Sequence, residues 1–129
     1  MASEPVLADP HDLTIGPDGR LYIANKFGND IVIMDPDTLG VVCRAGDGQM
    51  VEVHDVSFGP DGKLYAAVSS AGAVFRLEGE TLVFESGISG FPRTDGALAH
   101  SNGRLYVMAS GTGELVAVTE RTSLRPQGA

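Results

Sequence analysis

One phrase, written three times, constrains this chain more than anything else in it. His11-Asp12-Leu13-Thr14-Ile15-Gly16-Pro17-Asp18-Gly19-Arg20-Leu21-Tyr22 returns without a gap as His54-Asp55-Val56-Ser57-Phe58-Gly59-Pro60-Asp61-Gly62-Lys63-Leu64-Tyr65. It returns again, altered, as Asp95-Gly96-Ala97-Leu98-Ala99-His100-Ser101-Asn102-Gly103-Arg104-Leu105-Tyr106. The steps from Leu21 to Leu64 and from Leu64 to Leu105 are 43 and 41 residues. A unit of that length has room for about four short strands and their turns.

Each copy reads as a hairpin: an alternating strand, a turn at Pro-Asp-Gly, then Leu-Tyr and a second apolar strand. Proline presets the first turn torsion, aspartate caps its own backbone, and glycine accepts the positive φ that closes a bulged hairpin. The third copy has Ser101-Asn102 in place of Pro-Asp and keeps Gly103, the residue the backbone most strictly needs. Counting on from Leu-Tyr, the next turn brings Asn29, Gly72 and Gly113 to one repeat position, and these residue types tolerate a left-handed conformation. A third strand follows at Ile31-Val32-Ile33-Met34, Val74-Phe75-Arg76-Leu77 and Leu115-Val116-Ala117-Val118, and a fourth is expected at Val41-Val42-Cys43 and Thr81-Leu82-Val83-Phe84. The polar tail after Glu120 leaves the outer strand of the third copy weak or missing. Short β-branched runs broken by Gly and Pro leave no place for a 3.6-residue helical pattern.

The expected fold class is therefore all-β: three four-stranded antiparallel sheets in a single domain, 1–129, with units at about 11–53, 54–94 and 95–122. Sheets repeated at this interval are the blades of a β-propeller. The phrases Gly16-Pro17-Asp18-Gly19-Arg20-Leu21-Tyr22-Ile23-Ala24-Asn25 and Gly59-Pro60-Asp61-Gly62-Lys63-Leu64-Tyr65-Ala66-Ala67 resemble the repeat of the YVTN, NHL and gluconolactonase-like propellers. The resemblance spans about residues 11 to 120 and implies the fold rather than a reaction, since such propellers include enzymes, ligand binders and docking platforms. Propellers close with about four to eight blades, and closure removes the sheet edges. Three blades make half of a six-bladed ring or a fragment of a larger propeller. The expected partner is accordingly a second copy, in a homodimer, or the missing blades, and in the dimer Glu4-Pro5-Val6-Leu7-Ala8 is a candidate for the outer strand that the third blade lacks.

Composition removes several function classes. Seventeen acidic against nine basic residues give a net charge of −8, with the cations scattered singly, so a nucleic-acid backbone is repelled. No apolar run approaches the roughly 20 residues of a membrane span. Met1-Ala2-Ser3-Glu4-Pro5 carries no signal-peptide pattern, so the chain as written reads as cytoplasmic, and as extracytoplasmic if it is cut from a longer precursor. The single cysteine, Cys43, lies in an apolar stretch and is expected to pack.

The inner strand of each blade lines the channel, so its first residue is where axial ligands gather. Those residues are His11, His54 and Asp95, three metal-competent side chains at one repeat position and the candidate site for a divalent metal, whether zinc, calcium or magnesium. The pattern is similar in outline to lyase propellers in which histidines of successive blades hold zinc on the axis, and to virginiamycin-type lyases; the alternative is hydrogen bonding to the neighbouring blade. Asp12 and Asp55 are candidate ligand contacts or blade-to-blade acceptors, a series that Gly96 breaks. Phe91 and Arg93, in the longest connection between blades, are candidates to clamp an anionic or aromatic small molecule. The separated Glu, Asn and Asp metal ligands of gluconolactonase-like enzymes have no match here, and no nucleophile elbow, phosphate loop or Cys-x-x-Cys pair is present. Two readings stay open: a binding or assembly module for a small ligand or protein, and a metal-dependent lyase or hydrolase acting at the channel mouth.

Overall fold

The computed structural model describes residues 7–45, 50–79, 82–91 and 93–118. Among them are eleven strands and no helix. The first blade is β1 (Pro10–Ile15), β2 (Leu21–Asn25), β3 (Asp30–Met34) and β4 (Val41–Ala45). The second is β5 (Val53–Phe58), β6 (Leu64–Val68), β7 (Ala73–Glu78) and β8 (Val83–Ile88). The third is β9 (Thr94–Ala99), β10 (Leu105–Ala109) and β11 (Glu114–Val118). Every sheet is an antiparallel meander in chain order. A fourth strand of the last blade would fall beyond residue 118, outside the described residues.

The repeated phrase folds as its chemistry dictates. Gly19, Gly62 and Gly103 take φ of +82°, +76° and +91°, and Asn29, Gly72 and Gly113 take +58°, +57° and +77°. In the hairpin turn one oxygen of Asp18, Asp61 and Asn102 accepts the backbone N–H two residues on, at 3.1, 3.1 and 2.9 Å. The same side chains also reach the tyrosine four residues on. Tyr22 and Tyr65 donate their hydroxyls to Asp18 and Asp61 at 2.9 and 2.7 Å, and Asn102 Nδ2 donates to Tyr106 Oη at 3.0 Å. Burial first, then the bond to Asp61, pushes the Tyr65 phenol up to about 12.

The blades pack face against face through two apolar seams. In the first, Tyr22, Ala24, Ile31 and Ile33 on the trailing face of blade 1 meet Val56, Leu64, Ala66, Phe75 and Leu77 on the leading face of blade 2. In the second, Tyr65, Ala67 and Val74 meet Ala97, Ala99, Leu105 and Val107. Each seam receives a wedge from the segment that leads into its later blade: Met50, fully buried in the first, and Phe91 in the second. Leu7 holds the corresponding position on blade 1 and packs on Ile23, Val32 and Met34. The wedges lie 43 and 41 residues apart, the interval of the repeat itself.

Three expectations shift. Leu64 and Leu105 are fully buried, but Leu21 is half-buried, because the leading face of blade 1 has no preceding blade against it. The outer strand expected at Thr81–Phe84 starts at Val83, since Leu82 turns to φ +53° and donates its N–H to Glu78 O at 2.7 Å. Of the segment Glu4–Ala8, residues 4–6 lie outside the described residues, while Leu7 and Ala8 sit on blade 1 itself, Ala8 N–H bonding Asn25 Oδ1 at 2.7 Å.

Candidate functional site: the channel end

The inner strands β1, β5 and β9 lie side by side and bring their first residues to one end of the channel. The turns at 26–29, 69–72 and 110–113 and the segments leading into each blade gather at that same end, because each inner strand pairs antiparallel with the strand after it. Here the imidazoles of His11 and His54 lie with centroids 4.1 Å apart, tilted by 47°. His54 Nε2 stands 4.0 Å from Asp95 Oδ1, and His11 Nε2 stands 3.7 Å from Asp9 Oδ2. Arg93 Nε completes the group, 3.5 Å from Asp95 Oδ1.

Asp95 is fixed from several sides. Ser69, from blade 2, donates its hydroxyl to Asp95 Oδ1 at 2.7 Å. Burial alone would raise this carboxyl, but hydrogen bonds from Ser69 and Ser110 with the charges of His54 and Arg93 outweigh it and hold the pKa below the ordinary carboxylate value. The three residues expected at one height around the axis therefore do meet, as an acid and two imidazoles in a hydrogen-bonded setting. Among the described residues, no three His, Cys, Asp or Glu side chains are arranged to hold one metal ion. Asp9, Ser69 and Ser110 escape a sequence reading, since only the folded turns bring them to the cluster; the spacing that marks Asp9 and Glu52 as equivalents is the one available signal.

One residue further along the same strands, the carboxylates turn into the seams. Asp12 Oδ2 accepts the N–H of Val56 at 3.1 Å, and Asp55 Oδ2 accepts the N–H of Ala97 at 3.1 Å, so each blade holds the inner strand of the next. Burial first, then the hydrogen bond and charge of Asp12, pushes the Asp55 carboxyl up to about 7, against the pull of the Ala97 and Val56 amides. Asp55 thus sits protonated between blades, beside Asp12. In blade 3 the series ends at Gly96, where Met108 Cε occupies the space a side chain would need. An open groove of ≈ 550 Å³ runs from Asp12 and Asp55 past Thr14 and Ser57 to Leu98 and Met108.

Phe91 and Arg93 stand in different surroundings. Phe91 packs into the seam between blades 2 and 3, where its N–H bonds Gly72 O at 3.1 Å. Its carbonyl oxygen lies 2.0 Å from where a Cβ on Gly72 would be, so only glycine fits there. Arg93, half-exposed, faces the cluster. Phe27, the exposed aromatic of this end, lies under the Lys26 ammonium at 5.4 Å from its ring centroid.

No family model matches the chain, and no curated relative does. Solved structures do. Virginiamycin B lyase from Staphylococcus aureus superposes with a TM-score of 0.66 at 14% identity, covering 95% of this chain and 45% of the lyase. A luciferin-regenerating enzyme gives 0.69 at 16%, covering 93% and 47%, and the WD40 repeats of RRP9 give 0.60 at 13%, covering 88% and 37%. The chain is a partial β-propeller. It spans less than half the length of each of these structures, and at such identities the likeness is one of fold.

Proposed function

We propose that this partial propeller is a binding module that takes a small polar ligand at the channel end and is completed around that ligand by further blades. The observation that carries the reading is the meeting of His11, His54, Asp95 and Arg93, partly exposed side chains of both charge types drawn from three consecutive blades. Two imidazoles that switch between donor and acceptor, beside a fixed carboxylate and a guanidinium, suit a ligand with paired donors and acceptors. The repeated Gly-Pro-Asp-Gly-x-Leu-Tyr phrase supports placing the chain with the YVTN, NHL and gluconolactonase-like propellers. The metal-dependent lyase or hydrolase is the competing reading.

A single titration series separates the two. Small polar fragments are added while the imidazole NMR signals of His11 and His54 are followed, and zinc is titrated by calorimetry into the same protein and into His54→Ala. The binding module predicts fragments that move both rings and lose their effect in the variant, with zinc heats equal in the two proteins. If no fragment moves either ring, the channel end is not a ligand site. Zinc binding in the native chain that vanishes in His54→Ala would transfer the case to metal-dependent chemistry.

A further inference from the structure

The chain makes the same kind of seam twice and leaves one half of it bare at each end. On the trailing face of blade 3, register places Tyr106 with Leu98 and Ala117, and Met108 with Leu115, in the positions that Tyr65, Ala67 and Val74 occupy in blade 2. Leu98, Met108 and Leu115 are 53%, 51% and 70% exposed there. On the leading face of blade 1, register aligns Leu13 with Ile23 and Val32, and Ile15 with Leu21 and Met34, the equivalents of Val56, Ala66, Phe75, Phe58, Leu64 and Leu77. Leu13 and Ile15 are 59% and 68% exposed. Soluble proteins seldom leave such contiguous apolar surface uncovered.

We infer that the occupant of both faces is a second copy of this chain, blade 1 of each docking on blade 3 of the other to close a six-bladed ring with a twofold axis along the channel. The inference rests on the reading of the chain as a propeller segment and names its missing blades. Three features carry it. The bare faces are the two complementary halves of an interface the molecule already forms inside itself, with Leu7 and Leu39 standing on blade 1 where Met50 and Leu82 stand within the first seam. One contact made twice covers the exposed apolar surface of both faces and leaves no blade unpaired, blade 1 meeting blade 3 and blade 3 meeting blade 1 as a twofold dimer requires. The chain spans 45% of virginiamycin B lyase and 47% of the luciferin-regenerating enzyme, so two spans supply most of one such ring. Closure would set a second His11–His54–Asp95 group across the channel from the first. The trailing face of blade 3 is bulkier than its internal counterpart, Met108 standing for Ala67 and Leu115 for Val74. Gly96 supplies no carboxylate, so the inner part of the seam between copies lacks the acid that Asp12 and Asp55 bring to the internal seams, while Arg44, opposite Val32 on blade 1, adds a cation at its outer edge.

The test uses two variants at exposed positions, Leu13→Asp and Leu115→Asp, in sedimentation velocity at micromolar concentration, with circular dichroism confirming that both keep their β signal. The native chain is expected at twice its 13.4 kDa, and each variant alone at the monomer mass. Mixed together, the variants should recover a dimer, because Leu13→Asp still has an intact blade 3 and Leu115→Asp an intact blade 1, which makes one good seam. A native monomer, oligomers that lengthen with concentration, or a dimer that survives Leu115→Asp would each overturn the ring. A dimer that forms while no fragment moves the His11 and His54 signals would leave the ring standing and remove the ligand site; fragment binding by a monomer would do the reverse.

Discussion

The two end faces of this molecule are the two complementary halves of one kind of seam, yet one is partly finished and the other is bare. On the leading face of blade 1, Ile23, Val32 and Met34 are 5%, 0% and 3% exposed beneath Leu7, Leu21 and Leu39, and only the inner strand shows apolar side chains. On the trailing face of blade 3, Leu98, Met108 and Leu115 on three successive strands are all more than half exposed. The difference teaches that a blade carries the wedge for its leading face in the segment before it, as Leu7, Met50 and Phe91 show, whereas its trailing face is completed by whatever comes next. Stability in this fold is thus directional along the chain.

The sharpest way to break that comparison is to remove the same leucine from a closed and an open face. Leu64→Ala empties a fully buried position in the first seam and should cost about 2–5 kcal/mol in chemical denaturation. Leu21→Ala, at the equivalent half-buried position, should cost clearly less when both changes are made in the monomeric Leu115→Asp background; equal losses there would mean that the open face is as well packed as the seam. A smaller effect is expected where the wedge of blade 3 passes Gly72. There an alanine is forced into a left-handed conformation and against the Phe91 carbonyl, so Gly72→Ala should lower stability by about 1–3 kcal/mol. The equivalent Asn29→Ala creates no clash but gives up the bond that Asn29 Oδ1 accepts from Glu52 N–H at 3.2 Å, an exposed contact, and should cost less in the same denaturation series.

A pH-dependent effect belongs to the internal seam's proton. Asp55 keeps its proton in the folded chain up to about pH 7, whereas in the unfolded chain it loses it near 3.8. The folded state therefore binds more protons between those values, and stability should be greatest below the ordinary carboxylate range and decline as pH rises through about 7. Asp55→Asn should flatten that decline while still accepting the Ala97 amide and facing Asp12. His54 and Asp95 neighbour the pair at the channel end, so the flattening must persist in a His54→Ala background for the assignment to Asp55 to hold.

Much of this was legible in the sequence, for reasons that differ by residue. The turns could be read because Gly19, Asp18 and Tyr22 interact within five residues of one another, so local chemistry decides them. The meeting of His11, His54 and Asp95 could be read because equal repeat positions lie at equal height around an axis. What those side chains then do could not be read, because Ser69 and Ser110 reach Asp95 only through folded turns. Phe91 looked like a loop residue free to clamp a ligand. Its role as a wedge was hidden because Leu7, Met50 and Phe91 share a spacing but no chemical type beyond being apolar, and the exposure of Leu21 depends on a neighbour that no local pattern encodes.

The tyrosine tethers divide the two ends of the channel between different tasks. Opening a Pro-Asp-Gly turn would pull on a phenol rooted in the interior, Tyr22 and Tyr65 being fully buried, so that end of the disc cannot drift without loosening the blades. At the other end, Phe27 and Arg93 are exposed on a turn and a lead-in segment whose anchors are their neighbours Asn25 and Phe91, so these two side chains can be exchanged without touching the anchors.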